Sequence, residues 1–204
     1  MRFSQGQAAQ NDNNGFLMPI LAAEPDLYPE GLFSDVEPIQ PCTSEAWALY
    51  CLSNKEKALM RRLRALNIPH YGPLVAKRYR SPAGRLRTSY VPLFAGYVFL
   101  FGDEVQRYHA KCTGYISRCI EVSDAQQLTE DLGQIHRLIE MGAPLTAEER
   151  LVPGMLVRIR SGAFAGFEGT IIQRNKETRL MVAIDFLQQG ASVLLDDCQV
   201  EYLG

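Results

Sequence analysis

The sequence contains few of the residue patterns that metal-dependent or nucleophilic enzymes require. Its three histidines are far apart, and its five cysteines include no Cys-x-x-Cys pair. Such spacing disfavours a zinc site, and scattered cysteines are typical of a reducing compartment. No Gly-x-Ser-x-Gly, P-loop or Rossmann motif is present. We therefore predict a protein that is not an enzyme and that uses no metal or cofactor.

Long apolar runs and a strong net charge are also missing. No apolar stretch approaches the ~20 residues that a membrane-spanning helix needs, and the polar N-terminus does not read as a secretory signal. The net charge of the 204-residue chain is −2, so no global positive field attracts nucleic acid. We expect a cytoplasmic monomer that has no membrane partner.

Residues 1–45 have the composition of an N-terminal arm. Residues 1–14 are polar and rich in Gln and Asn, which predicts disorder. Residues 15–42 combine apolar side chains with five prolines, so regular structure is not expected there. The apolar residues indicate either an arm that lies on the folded part or one that captures a partner.

The pattern over residues 46–142 predicts a first domain. A strand at 47–52 is followed by Ser53 and Glu56, which are spaced as a capping box for a helix that runs to about Asn67. Leu59, Leu63 and Leu66 form the apolar stripe of that helix.

The elements that follow complete a recognisable order. Extended segments at 70–75, 92–101 and 115–122 flank a short helix at 103–112. A second capping box at Ser123 begins a helix with one apolar face, formed by Leu128, Leu132, Ile135 and Ile139. Strand, helix, strand, strand, helix, strand is the order of a ferredoxin-like split βαβ domain.

The strand at 92–101 is the most apolar part of the first domain. Tyr97, Phe99 and Phe101 alternate with Val98 and Leu100, so the aromatic side chains share one face of the strand. Either a helix covers each face of this central strand, or the aromatic row docks a partner. Gly96 indicates a bulge or the close approach of another backbone.

Basic residues are concentrated in two places. The first helix has a single acid and five basic residues, which are Lys55, Lys57, Arg61, Arg62 and Arg64. A second group surrounds the predicted turn at Ser81–Gly84, with Tyr79 and Tyr90 nearby, and consists of Lys77, Arg78, Arg80, Arg85 and Arg87. Each group is either a solvated surface or a contact to nucleic acid.

After a linker at 143–153 the pattern changes to short strands separated by glycines. Five strands are predicted, at 157–160, 169–173, 180–186, 191–195 and 199–203. Such a set predicts a small SH3-like β-barrel over residues 154–204. The whole chain is therefore predicted to be an α+β protein, with a ferredoxin-like domain followed by the barrel.

Two motifs resemble one protein family. Residues 92–99, Pro-Leu-Phe-Ala-Gly-Tyr-Val-Phe, resemble the PLFPGYVF signature of the NusG N-terminal domain, with Ala95 in place of its second proline. Residues 154–201, which include the segment Ser-Gly-Ala-Phe-Ala-Gly-Phe-Glu-Gly at 161–169, resemble a KOW domain. The resemblance covers the chain from about Ala46 onwards and leaves the arm outside.

The resemblance implies a transcription elongation and antitermination factor, either a housekeeping NusG or a specialised RfaH-like paralogue. The first domain of such a factor binds the clamp of RNA polymerase and suppresses pausing. Its KOW domain recruits a ribosomal protein or the Rho terminator, which links the family to transcription termination as well.

The resemblance also assigns roles to individual residues. Phe94, Tyr97 and Phe99, with Ile120 as a weaker candidate, would contact the polymerase. Lys55 and Arg62 lie where RfaH-like paralogues touch non-template DNA, and Phe164 and Phe167 would bind the KOW partner, although Phe167 is equally suited to a structural role.

A second interpretation remains open at this point. The chain could be a ribosome-associated, RNA-binding KOW protein, which would use Arg158, Arg160 and Lys176 on RNA.

Overall fold

The fold of the chain is mixed α+β, as predicted. The computed structural model describes residues 24–33, 45–82, 84–150, 154–174, 176–195 and 199–203. The disorder predicted for residues 1–14 lies outside these ranges. Within them, no helix is both long enough and apolar enough to cross a membrane.

The described residues form the following elements in chain order. The N-terminal half contains β1 (Leu27–Tyr28), β2 (Ala46–Cys51), α1 (Glu56–Ala65), β3 (His70–Tyr71), β4 (Leu74–Arg80), β5 (Leu86–Pro92) and β6 (Tyr97–Phe101). The C-terminal half contains α2 (Glu104–Lys111), β7 (Ile116–Val122), α3 (Ala125–Glu140), β8 (Thr146–Glu148), β9 (Met155–Ile159), β10 (Glu168–Arg174), β11 (Glu177–Ile184), a 3-10 turn (Asp185–Leu187), β12 (Gln189–Leu194) and β13 (Val200–Tyr202).

The first sheet has the strand order β1-β3-β6-β2-β7, and every neighbouring pair is antiparallel. Strands β2 and β3, joined through α1, therefore run parallel to each other with β6 between them. Strands β6 and β7, joined through α2, run parallel with β2 between them. Strands β4 and β5 leave this sheet as a separate two-stranded hairpin.

Strand β6 is a central strand that is covered on both faces. Val98 and Leu100 belong to a buried cluster with Leu59 and Leu63 of α1. Phe99, together with Phe101, belongs to a different cluster, which contains apolar residues of α3. Side chains that alternate along a strand serve opposite faces, so the interpretation with helices on both faces is confirmed.

The helix starts differ from the capping boxes predicted at Ser53 and Ser123. Helix α1 is preceded by Lys55, which makes no side-chain capping bond, and the Glu56 carboxylate accepts a hydrogen bond of 2.9 Å from the Gly96 amide rather than from the start of the helix. Helix α3 is capped by Asp124, whose side chain accepts from the Gln127 amide at 2.9 Å. In both cases the predicted serine does not cap the helix.

The end of α1 also differs from its prediction. The helix ends at Ala65 rather than near Asn67. Leu66, which was assigned to the apolar stripe, is 42% exposed, whereas Leu59 and Leu63 are fully buried. The chain has already left the helix at Leu66, so this side chain no longer follows the stripe.

Residues 24–33 lie on the folded part of the molecule, where regular structure was not expected. Strand β1 extends the first sheet by pairing with β3. Leu27 and Leu32 are buried, and the Phe33 ring meets Tyr71 edge-on at 5.1 Å between ring centroids. Because β3 would otherwise be the edge strand on this side of the sheet, its unpaired backbone groups offer β1 a place to pair.

The second sheet is open, with the strand order β13-β9-β10-β11-β12-β8. Its five C-terminal strands fall close to the five predicted ones. Strand β8 comes from the predicted linker at 143–153 and pairs with β12, so that part of the linker is incorporated into the sheet. Within the described residues β8 and β13 are not paired with each other, so the predicted closure into a barrel is wrong.

Helix α3 joins the two sheets into one hydrophobic core. Leu128, Leu132 and Ile135 are buried in the cluster that contains Phe99 of the first sheet and Val157 of the second. Both sheets therefore pack around the same helix.

We expect Leu32→Ala to lower the free energy of unfolding by about 2–4 kcal/mol, because it removes buried apolar atoms and leaves a cavity. Urea denaturation of the full chain measures this change. Leu86→Ala is the matched control, since Leu86 is 66% exposed and an exposed leucine should matter by less than about 0.5 kcal/mol. Equal effects of the two substitutions would show that residues 24–33 do not stabilise the fold.

Candidate functional site

A half-exposed pair of tyrosines lies where β6 begins. Tyr97 packs against Tyr50, with 5.2 Å between the ring centroids, and Tyr50 is 43% exposed. Gly96 precedes the pair with a φ of +83°, and a Cβ at this position would lie 2.9 Å from the Tyr50 ring. The Gly96 carbonyl also accepts a hydrogen bond of 2.7 Å from the Cys51 amide. The predicted close approach at Gly96 is therefore confirmed, and it shapes the turn that presents Tyr97.

Two other members of the predicted aromatic docking surface are covered. Phe94 is 2% exposed and Phe99 is fully buried, with their rings edge-on at 6.3 Å. Their burial contradicts the expectation that Phe94 and Phe99 are exposed at a docking surface. The two phenylalanines belong to the same cluster as the apolar face of α3.

Ile120 shares a face with this row and stays partly accessible. Ala48 of β2 pairs with Phe99 on one side and with Ile120 on the other, so the three side chains point the same way. Ile120 is half-buried, as is Tyr97. Of the four residues predicted to meet a polymerase, Tyr97 and Ile120 are the two that solvent reaches.

The basic residues of α1 fall into two sets. Arg61 forms an ion pair of 3.0 Å with Glu24, and the Arg64 guanidinium donates a 2.5 Å hydrogen bond to the Leu27 carbonyl. Arg64 also lies over the Tyr28 ring, 5.6 Å from its centroid. Residues 24–33 therefore engage two of the five basic side chains.

The other three basic residues, of which Lys55 directly precedes α1, make no ion pair with the part of the chain that the structure describes. Lys55 and Arg62 are exposed and Lys57 is half-buried. Glu24 is the acidic residue that pairs with Arg61, but no pattern in the sequence predicts that Glu24 lies beside α1.

The aromatic pair of the second sheet lies in the connection between β9 and β10. Phe164 and Phe167 are 6.3 Å apart between ring centroids. Phe167 is only 6% exposed, and the guanidinium of Arg137 from α3 lies 5.3 Å from the centre of its ring. Phe164 is half-buried. The burial of Phe167 therefore supports a structural role for this residue rather than binding to a partner.

Helix α3 meets the second sheet through polar side chains as well. The Glu168 amide donates a 2.9 Å hydrogen bond to the Gln134 side chain. Asp131 lies on the same helix, is 8% exposed and accepts a 2.9 Å hydrogen bond from Gln127. The pKa of Asp131 is raised to about 6, chiefly by burial; the hydrogen bond from Gln127 opposes this rise, and the nearby carboxylate of Asp185 contributes to it.

The buried His70 is held by its surroundings. Its Nδ1 lies 2.8 Å from the Ile68 carbonyl oxygen, and its ring stacks on Tyr28 at 6.1 Å. Burial lowers the pKa of His70 to about 4, so the imidazole is neutral at neutral pH. Among the described residues, no group of three or more His, Cys, Asp or Glu side chains is placed to hold a metal ion.

Comparison with known proteins does not assign the chain. No protein-family model matches it, and no curated protein matches it.

We expect Asp131→Asn to stabilise the protein at neutral pH. Because the folded-state pKa of about 6 exceeds the ordinary value of 3.8, the native state binds a proton more tightly than the unfolded chain. Stability is therefore lost as pH rises from about 4 to about 6, and the loss persists above that range. The variant should gain about 1–2 kcal/mol at pH ~7.5 and nothing near pH ~4, as measured by urea denaturation.

Glu130→Gln is the matched control for this prediction. It removes the same charge one residue away, on the exposed side of α3. If both variants show the same pH dependence, the effect belongs to the net charge rather than to the buried carboxyl.

Proposed function

We propose that this chain is a transcription elongation and antitermination factor of the NusG type. The observation that carries the proposal is the conformation of the Pro-Leu-Phe-Ala-Gly-Tyr-Val-Phe motif, which runs from the last residue of β5 through a turn at 93–96 into the first three residues of β6. Its Gly96 turn is held by Cys51 and Glu56, and its Tyr97 lies at the surface. The motif is thus central to the first sheet and also presents an aromatic side chain to solvent.

The topology of the two sheets supports this function. The order β3-β6-β2-β7 with α1 and α2 as connections is compatible with a ferredoxin-like split βαβ domain, which is the fold we propose for this part of the chain. The meander β9 to β12, followed by β13 against β9, agrees with the strand sequence of an SH3-like KOW domain. The order of the two units along the chain is also the one that the family has.

On this proposal the polymerase clamp binds at Tyr97 and Ile120. Phe94 and Phe99 would then contribute indirectly, because their burial in the core stabilises the strand and the turn that carry Tyr97. Large aromatic side chains at the centre of an interface supply a large part of its binding energy. A protein that bridges the clamp in this way suppresses pausing without any chemical step of its own.

Non-template DNA would contact the side chains of α1 that residues 24–33 leave available. These are Lys55, Lys57 and Arg62, whereas Arg61 and Arg64 already have partners within the chain. The KOW partner, a ribosomal protein or Rho, would meet Phe164 rather than the covered Phe167.

The alternative function on ribosomal RNA has less support from the side chains. Arg158 forms an ion pair with Glu168, with a 2.7 Å hydrogen bond from its Nε, and Arg160 is paired with Glu201. Carboxylates this close reduce the positive charge that either arginine could offer to phosphate.

We expect Tyr97→Ala to weaken binding to RNA polymerase by about 30-fold, the equivalent of about 2 kcal/mol for an aromatic anchor. The measurement is retention of polymerase by the immobilised full chain in a nuclease-treated lysate, followed by titration with purified polymerase. Tyr108→Ala is the matched control, since Tyr108 lies on α2 and is 61% exposed. Recovery of ribosomal RNA without polymerase would exclude the proposed function and favour the alternative.

We expect reversal of Lys55 and Arg62 to glutamate to flatten the salt dependence of binding to a polymerase–DNA complex. Each lost phosphate contact on a single strand should reduce the slope of log affinity against log salt by about 0.7. Binding to polymerase without DNA is the control and should not change. An unchanged slope would mean that α1 is a solvated surface.

A further inference from the structure

The hairpin of β4 and β5 carries a concentration of positive charge that the proposed function does not use. Between Leu74 and Pro92 the sequence contains no acid and five basic residues, Lys77, Arg78, Arg80, Arg85 and Arg87. All five are exposed, and none forms an ion pair with any residue that the structure describes. Since the whole chain carries a net charge of −2, this hairpin is a local positive surface on an otherwise acidic protein.

The register of the hairpin divides these residues between two faces. Tyr79 is paired with Arg87 and Lys77 with Ser89, while Ser81 is bonded to Arg85 across the turn. Alternation along the strands therefore places one aromatic and three basic side chains on one face, the Tyr79 face, which consists of Lys77, Tyr79, Arg85 and Arg87. The opposite face holds the remaining two arginines, Arg78 and Arg80, with Leu86 directly across from Arg80.

Tyr79 is available for a contact with a partner. It is 45% exposed, although it lies within a seven-residue strand. Residues two apart on one face of a strand are separated by roughly 7 Å, so Lys77 is within reach of any group that stacks on the Tyr79 ring. Arg87 lies directly across the hairpin from that ring.

We propose that the Tyr79 face binds single-stranded nucleic acid, with one base stacked on Tyr79 and the backbone phosphates held by Lys77, Arg85 and Arg87. An aromatic ring flanked by cations is the combination that binds single strands with little sequence preference. An acidic peptide would use the charges but would not need the ring. A membrane surface would need exposed apolar side chains, and Leu86, which is 66% exposed, lies on the opposite face.

This site is separate from the contacts proposed for polymerase and for α1. Its binding requires neither polymerase nor the residues Tyr97, Lys55 and Arg62. If the hairpin does not bind nucleic acid, the proposed contacts to polymerase and at α1 are not affected. If Tyr97 does not bind polymerase, the proposal for the hairpin is not affected.

The first test is titration of the full chain against short fluorescent oligothymidylate and oligouridylate, followed by anisotropy, with a duplex of the same length for comparison. We expect a single strand of either sugar to bind more tightly than the duplex. Tyr79→Ala should weaken that binding by about 5- to 150-fold, the loss typical of one base–aromatic stack, and Tyr79→Phe should retain it. Equal binding of single strand and duplex, with no effect of Tyr79→Ala, would overturn the proposal.

The second test compares two double charge reversals on the same hairpin. Lys77→Glu with Arg87→Glu alters the Tyr79 face, and Arg78→Glu with Arg80→Glu makes the same change of charge on the opposite face. We expect the first pair to lower affinity at least tenfold more than the second and to reduce the salt slope by about 0.7 for each lost phosphate contact. Equal losses in the two variants would show a diffuse electrostatic attraction and would overturn the assignment to this face.

Circular dichroism shows whether each variant remains folded. All four reversed side chains are exposed, so the fold is expected to persist.

Discussion

The burial of α3 against two sheets is the packing constraint on which the rest of the structure depends. Its leucines and isoleucines belong to the core cluster on the aromatic face of the first sheet. Gln134 accepts a hydrogen bond from the Glu168 amide at the start of β10, and Arg137 lies over Phe167 in the β9–β10 connection. One helix thus covers Phe99 on one side and Phe167 on the other. Any partner that bound either phenylalanine directly would have to displace α3 and expose a shared apolar core to water, which is why the proposed contacts use Tyr97, Ile120 and Phe164.

Residues 24–33 add a second constraint, which is partly electrostatic. Leu27 and Leu32 anchor the segment in the core, and from there its backbone and Glu24 reach the basic side of α1. The basic side chains around α1 look alike in the sequence, but in the structure Arg61 and Arg64 are bonded to residues 24–33 and the others are not. Among the described residues, the hairpin of β4 and β5 therefore holds more basic side chains without an ion pair than α1 and its N-cap do.

The hairpin of β4 and β5 is largely outside the core, whereas α3 is buried in it. A two-stranded ribbon is marginally stable by itself in water, and this one is anchored only at its base. There Val75 packs against the cluster around α3, and Tyr90 packs against the cluster around α1. Beyond these anchors its side chains contribute little to the core, so their chemistry is unconstrained by packing. A run of exposed cations around a tyrosine is explained more readily by a partner than by the stability of the fold.

Local periodicity along the chain was enough to predict which side chains share a face. Alternation in β6 separated Tyr97, Phe99 and Phe101 from Val98 and Leu100, and the 3.6-residue repeat of α3 marked Leu128, Leu132 and Ile135 as buried. Gly96 between two apolar pieces predicted a bulge or a close backbone approach within one strand, whereas the structure has a turn there that separates β5 from β6.

What covers each of these faces depends on contacts between residues that are far apart along the chain. Nothing local in the sequence shows that α3 lies over Phe99, that Phe33 meets Tyr71, or that Glu24 pairs with Arg61, since these contacts join residues distant along the chain. The capping box predicted at Ser53 fails for the same reason, because the Glu56 carboxylate that it needs accepts a hydrogen bond from the Gly96 amide forty residues away. Whether a side chain is exposed, and which partner it has, depends on the assembled fold. Which face of a strand or helix it lies on follows from the periodicity of that element alone.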